Sequence, residues 1–124
     1  MKLLLDANAF LWWRDDAQQL SPRVADAIRD RSNDIFVSVV SLWEIAIKRS
    51  IGKLRFLDDF AEVIAEEEFN LLPVSYAHLR SFENLPRHHR DPFDRMLIAQ
   101  AVADELPIAT NDTMFPRYGV NILW

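Results

Sequence analysis

The residues with the plainest chemical potential are acids at four places in the chain. "HHRDPFDRMLIAQA", residues 88–101, carries Asp91 and Asp94 on either side of Pro92 and Phe93, just ahead of an apolar run. Asp6 closes the apolar run "KLLLD", Glu44 lies in "SLWEIAIK", and Asp112 lies in "ATND". Taken singly, each has an ordinary structural explanation. Asp6, Asp91 and Asp112 are suited to helix capping, and Ser41-Leu-Trp-Glu44 has the spacing of a capping box. Glu44 and Lys48 have the spacing of an i,i+4 ion pair. The chemistry therefore turns on whether the surrounding elements bring these acids together.

"KLLLD" is too short and too continuously apolar for a helix and reads as a buried strand. "ANAFLWWRD" reads as a short helix. "SPRVADAIRDR" is a second one, with Ser21 as N-cap and Pro22 at the first helical position. "DIFVSVV" is β-rich and predicts the next strand. "SLWEIAIKRSIG" is helical and stops near Gly52. "LDDFAEVIAEEEF" is amphipathic, with Phe60, Val63, Ile64 and Phe69 on one side. A short strand "NLLPV" and a helix "SYAHLRSFENL" follow. "DPFDRMLIAQAVADE" is the clearest helix, and "LPIAT" and "VNILW" are two last strands. Strands alternating with helices predict an α/β fold, a parallel sheet between two helical layers. Ligands of such sheets bind beyond the carboxyl ends of the strands.

That placement gathers the acids. Asp6 ends the first strand and Asp112 follows the fourth. Glu44 falls in the first turn of the helix after the second strand, and Asp94 in the first turn of the helix that feeds the fourth. Capping requires no such convergence. Two like charges about 4 Å apart repel by roughly 4 kcal/mol at an effective dielectric near 20. A cluster of four is unfavourable unless a positive charge sits among them. Mg²⁺ or Mn²⁺ with oxygen ligands is the natural filler, and its chemistry is metal-assisted phosphodiester hydrolysis.

The composition sets the limits. The 124 residues are half hydrophobic, which predicts a single domain over residues 1–124 with one buried core. Without cysteine, disulfides and thiolate metal sites are excluded. The apolar start is shorter than the roughly 7–15 residues of a signal peptide, and nothing approaches a membrane span. A cytoplasmic, soluble protein is expected. The net charge of −5 opposes nucleic-acid binding as a whole. The basic residues are nevertheless grouped: Lys48, Arg49, Lys53 and Arg55 in one stretch, and Arg87, His88, His89, Arg90 and Arg95 in another.

In the order and spacing of its acidic motifs, the chain resembles PIN-domain ribonucleases, and more narrowly the VapC-type toxins of toxin–antitoxin pairs. "LLLDANAFLWW" is similar to the family's opening strand and first acid. "VSVVSLWEIAIK" is similar to its second acidic motif, and "DPFDRMLIAQAVADELPIATND" to its third and fourth. The resemblance spans essentially the full length. It implies a five-stranded parallel sheet in the order 3-2-1-4-5 and endoribonuclease activity with Mg²⁺ or Mn²⁺. It further implies an antitoxin protein as partner and a homodimer. By position, the family's acids fall on Asp6, Glu44, Asp94 and Asp112. Asp6 and Asp94 become direct metal ligands, Glu44 and Asp112 complete the site, and Asp91 is an extra acid close by. The family often carries a small hydroxyl residue after the first acid. Here it is Ala7, with Asn8 as an alternative polar contact or helix cap.

Arg87, Arg90, Arg95 and Lys48 are the candidates for RNA backbone contact. His88 and His89 read better as exposed loop residues than as phosphate contacts. Trp12, Trp13, Trp43 and Trp124 read as packing residues rather than base-stacking platforms. Leu42, Trp43, Ile45, Ala46, Ile47 and Ile51 span an arc of roughly 240°, against the ~100° stripe of an ordinary surface helix. That breadth implies burial inside the domain or beneath a partner. A receiver-like signalling domain needs paired acids after its first strand, which "LLDAN" lacks, and a haloacid-dehalogenase-type phosphatase wants D-x-D where position 8 is Asn. The rival worth keeping is a catalytically silent PIN-like module that binds RNA or protein without cutting.

Overall fold

The computed structural model describes all residues, 1–124. It forms a five-stranded parallel sheet in the order β3-β2-β1-β4-β5. The strands are β1 (Lys2–Leu5), β2 (Asp34–Ser38), β3 (Asn70–Leu72), β4 (Ile108–Ala109) and β5 (Ile122–Leu123). The helices are α1 (Ala7–Asp15), α2 (Pro22–Arg29), α3 (Val39–Ser50), α4 (Phe60–Glu67), α5 (Tyr76–Glu83) and α6 (Pro92–Asp104). Both the architecture and the strand order agree with the expectation.

Alternation along the strands divides the core in two. Leu3, Leu5, Ile35 and Val37 face one cluster, packed with Phe10, Val24, Ile45 and Val63 from the first four helices. Leu4 and Ile108 face the other, packed with Leu97, Ile98 and Ala101 of α6. β1 is covered on both sides, which is why its sequence is continuously apolar. No helix is long and apolar enough to cross a membrane.

Three local expectations are corrected. The β-rich "DIFVSVV" is strand only as far as Ser38, and Val39 and Val40 open α3. The cause is Ser38, which is fully buried. Its hydroxyl accepts the N–H of Val40 at 3.1 Å and donates to Gln100 Oε1 at 2.6 Å, so tertiary anchoring and a cap outweigh valine's strand preference. The Ser41–Glu44 capping box therefore does not exist, and Glu44 lies in the second turn of its helix, not the first. Phe69 is not on the amphipathic helix. α4 ends at Glu67, Glu68 takes a left-handed φ of 57°, and the chain reverses to bury Phe69 against Phe10, ring centroids 6.4 Å apart. Finally, short 3₁₀ turns at Ala17–Gln19 and Phe115–Tyr118 had no sequence signal strong enough to predict them.

Candidate metal centre

β1, β2 and β3 run outward to one side of the sheet, and β4 and β5 to the other, so the strand order reverses between β1 and β4. At the carboxyl ends of these two neighbours the sheet leaves a crevice. A cavity of about 280 Å³ opens there, and its lining includes Asp6, Glu44, Lys48, Asp91, Asp94 and Asp112. All four expected acids, and the extra one, thus meet at one place.

Each acid is fixed by the element that delivers it. Asp6 follows β1 and caps α1, its Oδ1 accepting the N–H of Ala9 at 2.7 Å. It is only 7% exposed. Thr110, just past β4, hydrogen-bonds the Asp6 carboxyl and also accepts the N–H of Asp112 at 3.1 Å. Asp112 Oδ1 in turn accepts the N–H of Met114 at 2.8 Å, which folds its loop back. Asp91 caps α6, accepting the N–H groups of Phe93 at 2.8 Å and Asp94 at 3.3 Å. Asp94, a residue deeper in that first turn, is left free of capping duty. Glu44 pairs with Lys48 at 3.4 Å, the i,i+4 pair that the spacing suggested.

The electrostatics carry the cost of this gathering. Burial pushes the Asp6 carboxyl up to about 6, the charges of Asp112 and Glu44 add to it, and the hydrogen bonds from Thr110 and Ala9 oppose it. Burial, then the charges of Asp91 and Glu44, push Asp94 up to about 7, with Asp112 adding and His89 opposing. Two carboxyls held so far above their ordinary range, by burial first and neighbouring acids second, mark a candidate functional site.

His89 is what the sequence reading missed. His88 is exposed, as expected of a loop residue, and lies edge-on to Tyr118 with centroids 5.1 Å apart. His89 instead turns inward and places Nε2 3.1 Å from Asp94 Oδ2 and 3.8 Å from Asp112 Oδ2. His89, Asp94 and Asp112 offer ligand atoms that all lie within 4.8 Å of one another, whereas Asp6 and Glu44 line the same cavity outside that set. The only signal for His89 in the sequence was its place two residues before a helix cap. Thr110 was likewise missed. It supplies the hydroxyl beside Asp6 that Ala7 cannot, and Asn8 lines the cavity without being the source of that bond.

The donor set fits a hard divalent cation. It is rich in carboxylate oxygens, it contains no sulfur, and its neighbouring acids help to hold the Asp6 and Asp94 carboxyls up. Arg87 and Arg90 are exposed, and Arg90 borders a cleft shared with Glu44, Lys48 and Asp91. Arg95 is already committed. It donates to the Pro86 carbonyl at 2.8 Å and lies over the Phe82 ring at 5.1 Å, bracing the loop against α5.

Beyond the cavity, α3 shows a broad apolar outer face. Leu42 and Ile45 are buried in the core, but Trp43 is 60% and Ile51 59% exposed, so the wide apolar arc is only partly buried within the domain. Trp43 rests edge-on against Phe93 at 5.0 Å, beside an apolar groove of about 440 Å³ whose walls include Val39, Val74, Phe82 and Met96. Trp12 and Trp124 pack on each other at 6.0 Å, and Trp13 donates to Glu67 at 2.8 Å.

The PIN domain family matches the chain over residues 3–121. No curated protein sequence matches it significantly. Three solved structures are similar in fold. VapBC2 from Rickettsia felis, bound to a DNA fragment from its promoter, is 14% identical with a TM-score of 0.68, over 99% of this chain and 98% of that one. DNA-bound VapBC from Salmonella typhimurium is 17% identical with a TM-score of 0.67, over 99% and 97%. VapBC-5 from Mycobacterium tuberculosis, of the VapBC family of toxin–antitoxin systems, is 24% identical with a TM-score of 0.58, over 98% and 97%.

Proposed function

The chain belongs to the PIN domain family, and from that membership and its acidic cavity we propose that it is a divalent-metal-dependent endoribonuclease, the toxin of a toxin–antitoxin pair. The observation that carries the reading is the meeting of Asp6, Glu44, Asp91, Asp94 and Asp112, drawn from four separate stretches, in one cavity at the sheet's reversal point. Asp6, Asp94 and Asp112 would hold Mg²⁺ or Mn²⁺, with Glu44 as a further oxygen donor and Asp91 chiefly the cap of α6. When bound, such an ion supplies Lewis-acid polarisation of a phosphate oxygen and a nucleophile at neutral pH.

The chain's own residues do the rest. Thr110 and the N–H of Ala9 orient Asp6, while the cap at Asp91 fixes the turn that presents Asp94. The positive end of α6 favours the ionised form of Asp94 that a cation requires. Lys48, Arg87 and Arg90 offset the charge of the RNA backbone as it approaches an otherwise acidic molecule. The work is done in the cytoplasm. Restraint comes from an antitoxin segment laid along the apolar face near Trp43, Ile47 and Ile51, with an arginine reaching the acids bidentately. The fold neighbours' toxin–antitoxin assemblies support that partner.

The test is cleavage of mixed RNA by purified protein with and without Mn²⁺. Metal-dependent fragments that disappear in Asp6→Asn support the nuclease. RNA binding with no fragments under any metal would instead make the chain a silent binding module.

A further inference from the structure

The connection from α3 to α4 walls the acidic cavity through Leu54, and it is built stiffly. Gly52 takes a left-handed φ of 72°, and the N–H of Lys53 returns to the Lys48 carbonyl at 2.9 Å. Arg49 holds the rest. Its guanidinium donates to the carbonyls of Phe56 at 3.2 Å and Asp58 at 3.0 Å and lies over the Phe60 ring at 4.2 Å. Leu54 is half-buried, while Lys53 and Arg55 on either side of it are exposed. Elsewhere exposed cations are matched, Arg29 by Asp26, Arg31 by Glu68 and Lys48 by Glu44. Lys53 and Arg55 have no carboxylate partner.

The geometry of α3 separates this wall from Arg90. At about 100° per residue, Ile45 and Ile47 lie on opposite flanks of the stripe formed by Glu44 and Lys48. Ile45 lines the acidic cavity with Leu54, and Ile47 lines the adjoining cleft with Arg90. Glu44, Lys48 and Asp91 line both, so the two are one continuous depression. Cations without acidic partners thus stand at each end of it, with the acids between. A polyanion is repelled by the acids, and cations at both ends can hold a strand that crosses them.

We propose that Lys53 and Arg55 contact RNA phosphates on the flank opposite Arg90, so that a single strand crosses the acids instead of ending in them. The inference rests on the reading of the cavity as a ribonuclease site and deepens it, because a path open at both ends is what cutting within a chain requires. The stiff connection presents both cations with little backbone left to order when RNA binds.

The test reads RNA binding rather than cleavage. Fluorescence anisotropy of a labelled single-stranded RNA in EDTA, where metal-dependent cleavage is stopped, gives the affinity between about 50 and 200 mM salt. Each phosphate contact on a single strand contributes about 0.7 to the slope of log affinity against log salt. Lys53→Gln with Arg55→Gln should make that slope shallower by about 1.4 and Arg90→Gln by about 0.7, the losses adding in the triple variant. Lys2→Gln, at the start of β1 and so at the far edge of the sheet, should change nothing. A double variant whose slope matches the unaltered protein's overturns the proposal, and if Arg90→Gln still lowers the slope, the ribonuclease reading survives that result. A fall of about 0.7 in Lys2→Gln also overturns it, because the effect would then be one of overall charge. Unaltered protein that binds no RNA removes the RNA reading and the proposal together.

Discussion

Asp91 and Asp94 show how neighbouring identical residues divide their labour. Oδ1 of Asp91 accepts two backbone N–H groups of its own helix, whereas Asp94 faces the other acids. Asp91→Asn should keep most cleavage activity, because asparagine caps nearly as well, and Asp91→Ala should cost about 0.5–2 kcal/mol in urea unfolding. Asp94→Asn should fold normally and cleave RNA slower by orders of magnitude, since an amide is a poor ligand for a hard cation. The reverse pattern of activities would exchange the two roles. The raised carboxyls also dictate a pH dependence. Asp6 at about 6 and Asp94 at about 7 hold their protons more tightly in the fold than at their ordinary 3.8. Their contribution to stability is full below about pH 4 and is lost as pH rises through 6 to 7. At Asp6 alone the loss is on the order of 3 kcal/mol. Urea midpoints without metal should therefore fall from pH 5 to pH 8, Asp94→Asn should flatten the fall, and Mg²⁺ at pH 8 should reverse it. A metal-free midpoint that climbs over this range would contradict the crowding of charge.

At the level of elements, α6 is pinned by a residue that performs no chemistry. Gln100 is wholly buried, accepts from Ser38 at 2.6 Å and donates to the Pro73 carbonyl at 3.2 Å. It joins α6 to the junction of β2 with α3, and so sets Asp94 relative to Glu44. Gln100→Leu strands the Ser38 hydroxyl and the Pro73 carbonyl and should cost about 1–3 kcal/mol in urea unfolding. Ser38→Ala in that background should then cost less than in the unaltered protein, as expected of coupled partners. The same junction shows why the sequence was legible in some places and not in others. Apolar runs, Pro22 and Pro92 at helix starts and Gly52 at a helix end are local signals, and each sits where it was expected. The four acids were legible because each stands beside such a signal. Where Val39 joins a helix rather than a strand, and where His89 turns inward, the deciding partner is a residue distant in the chain or a fold in the loop. No local pattern carries that information.

Over the whole molecule, one side is acidic and concave and the adjoining one is apolar. Trp43, Ile47 and Ile51 lie on one helix face, with Val74 and Leu79 also exposed near the groove's α5 wall. A surface of that kind marks association. Light scattering should give the mass of a dimer, and Trp43→Asp should return a monomer with an unchanged circular-dichroism spectrum. A strict monomer for the unaltered protein at high concentration would leave the apolar face to the antitoxin alone.

The strand order also governs when the acidic cavity can assemble during the protein's own synthesis. β1 is made first, yet it lies in the middle of the sheet, and Leu4 pairs both with Phe36 and with Ile108. While the ribosome is still translating the intervening stretch, one edge of β1 has no neighbour, and neither Thr110 nor Asp112 exists to stand beside Asp6. Pairings so remote in sequence form late and slowly. A nascent chain therefore carries its first two acids without their partners through most of its elongation, and the full constellation comes together only around the last strands to emerge.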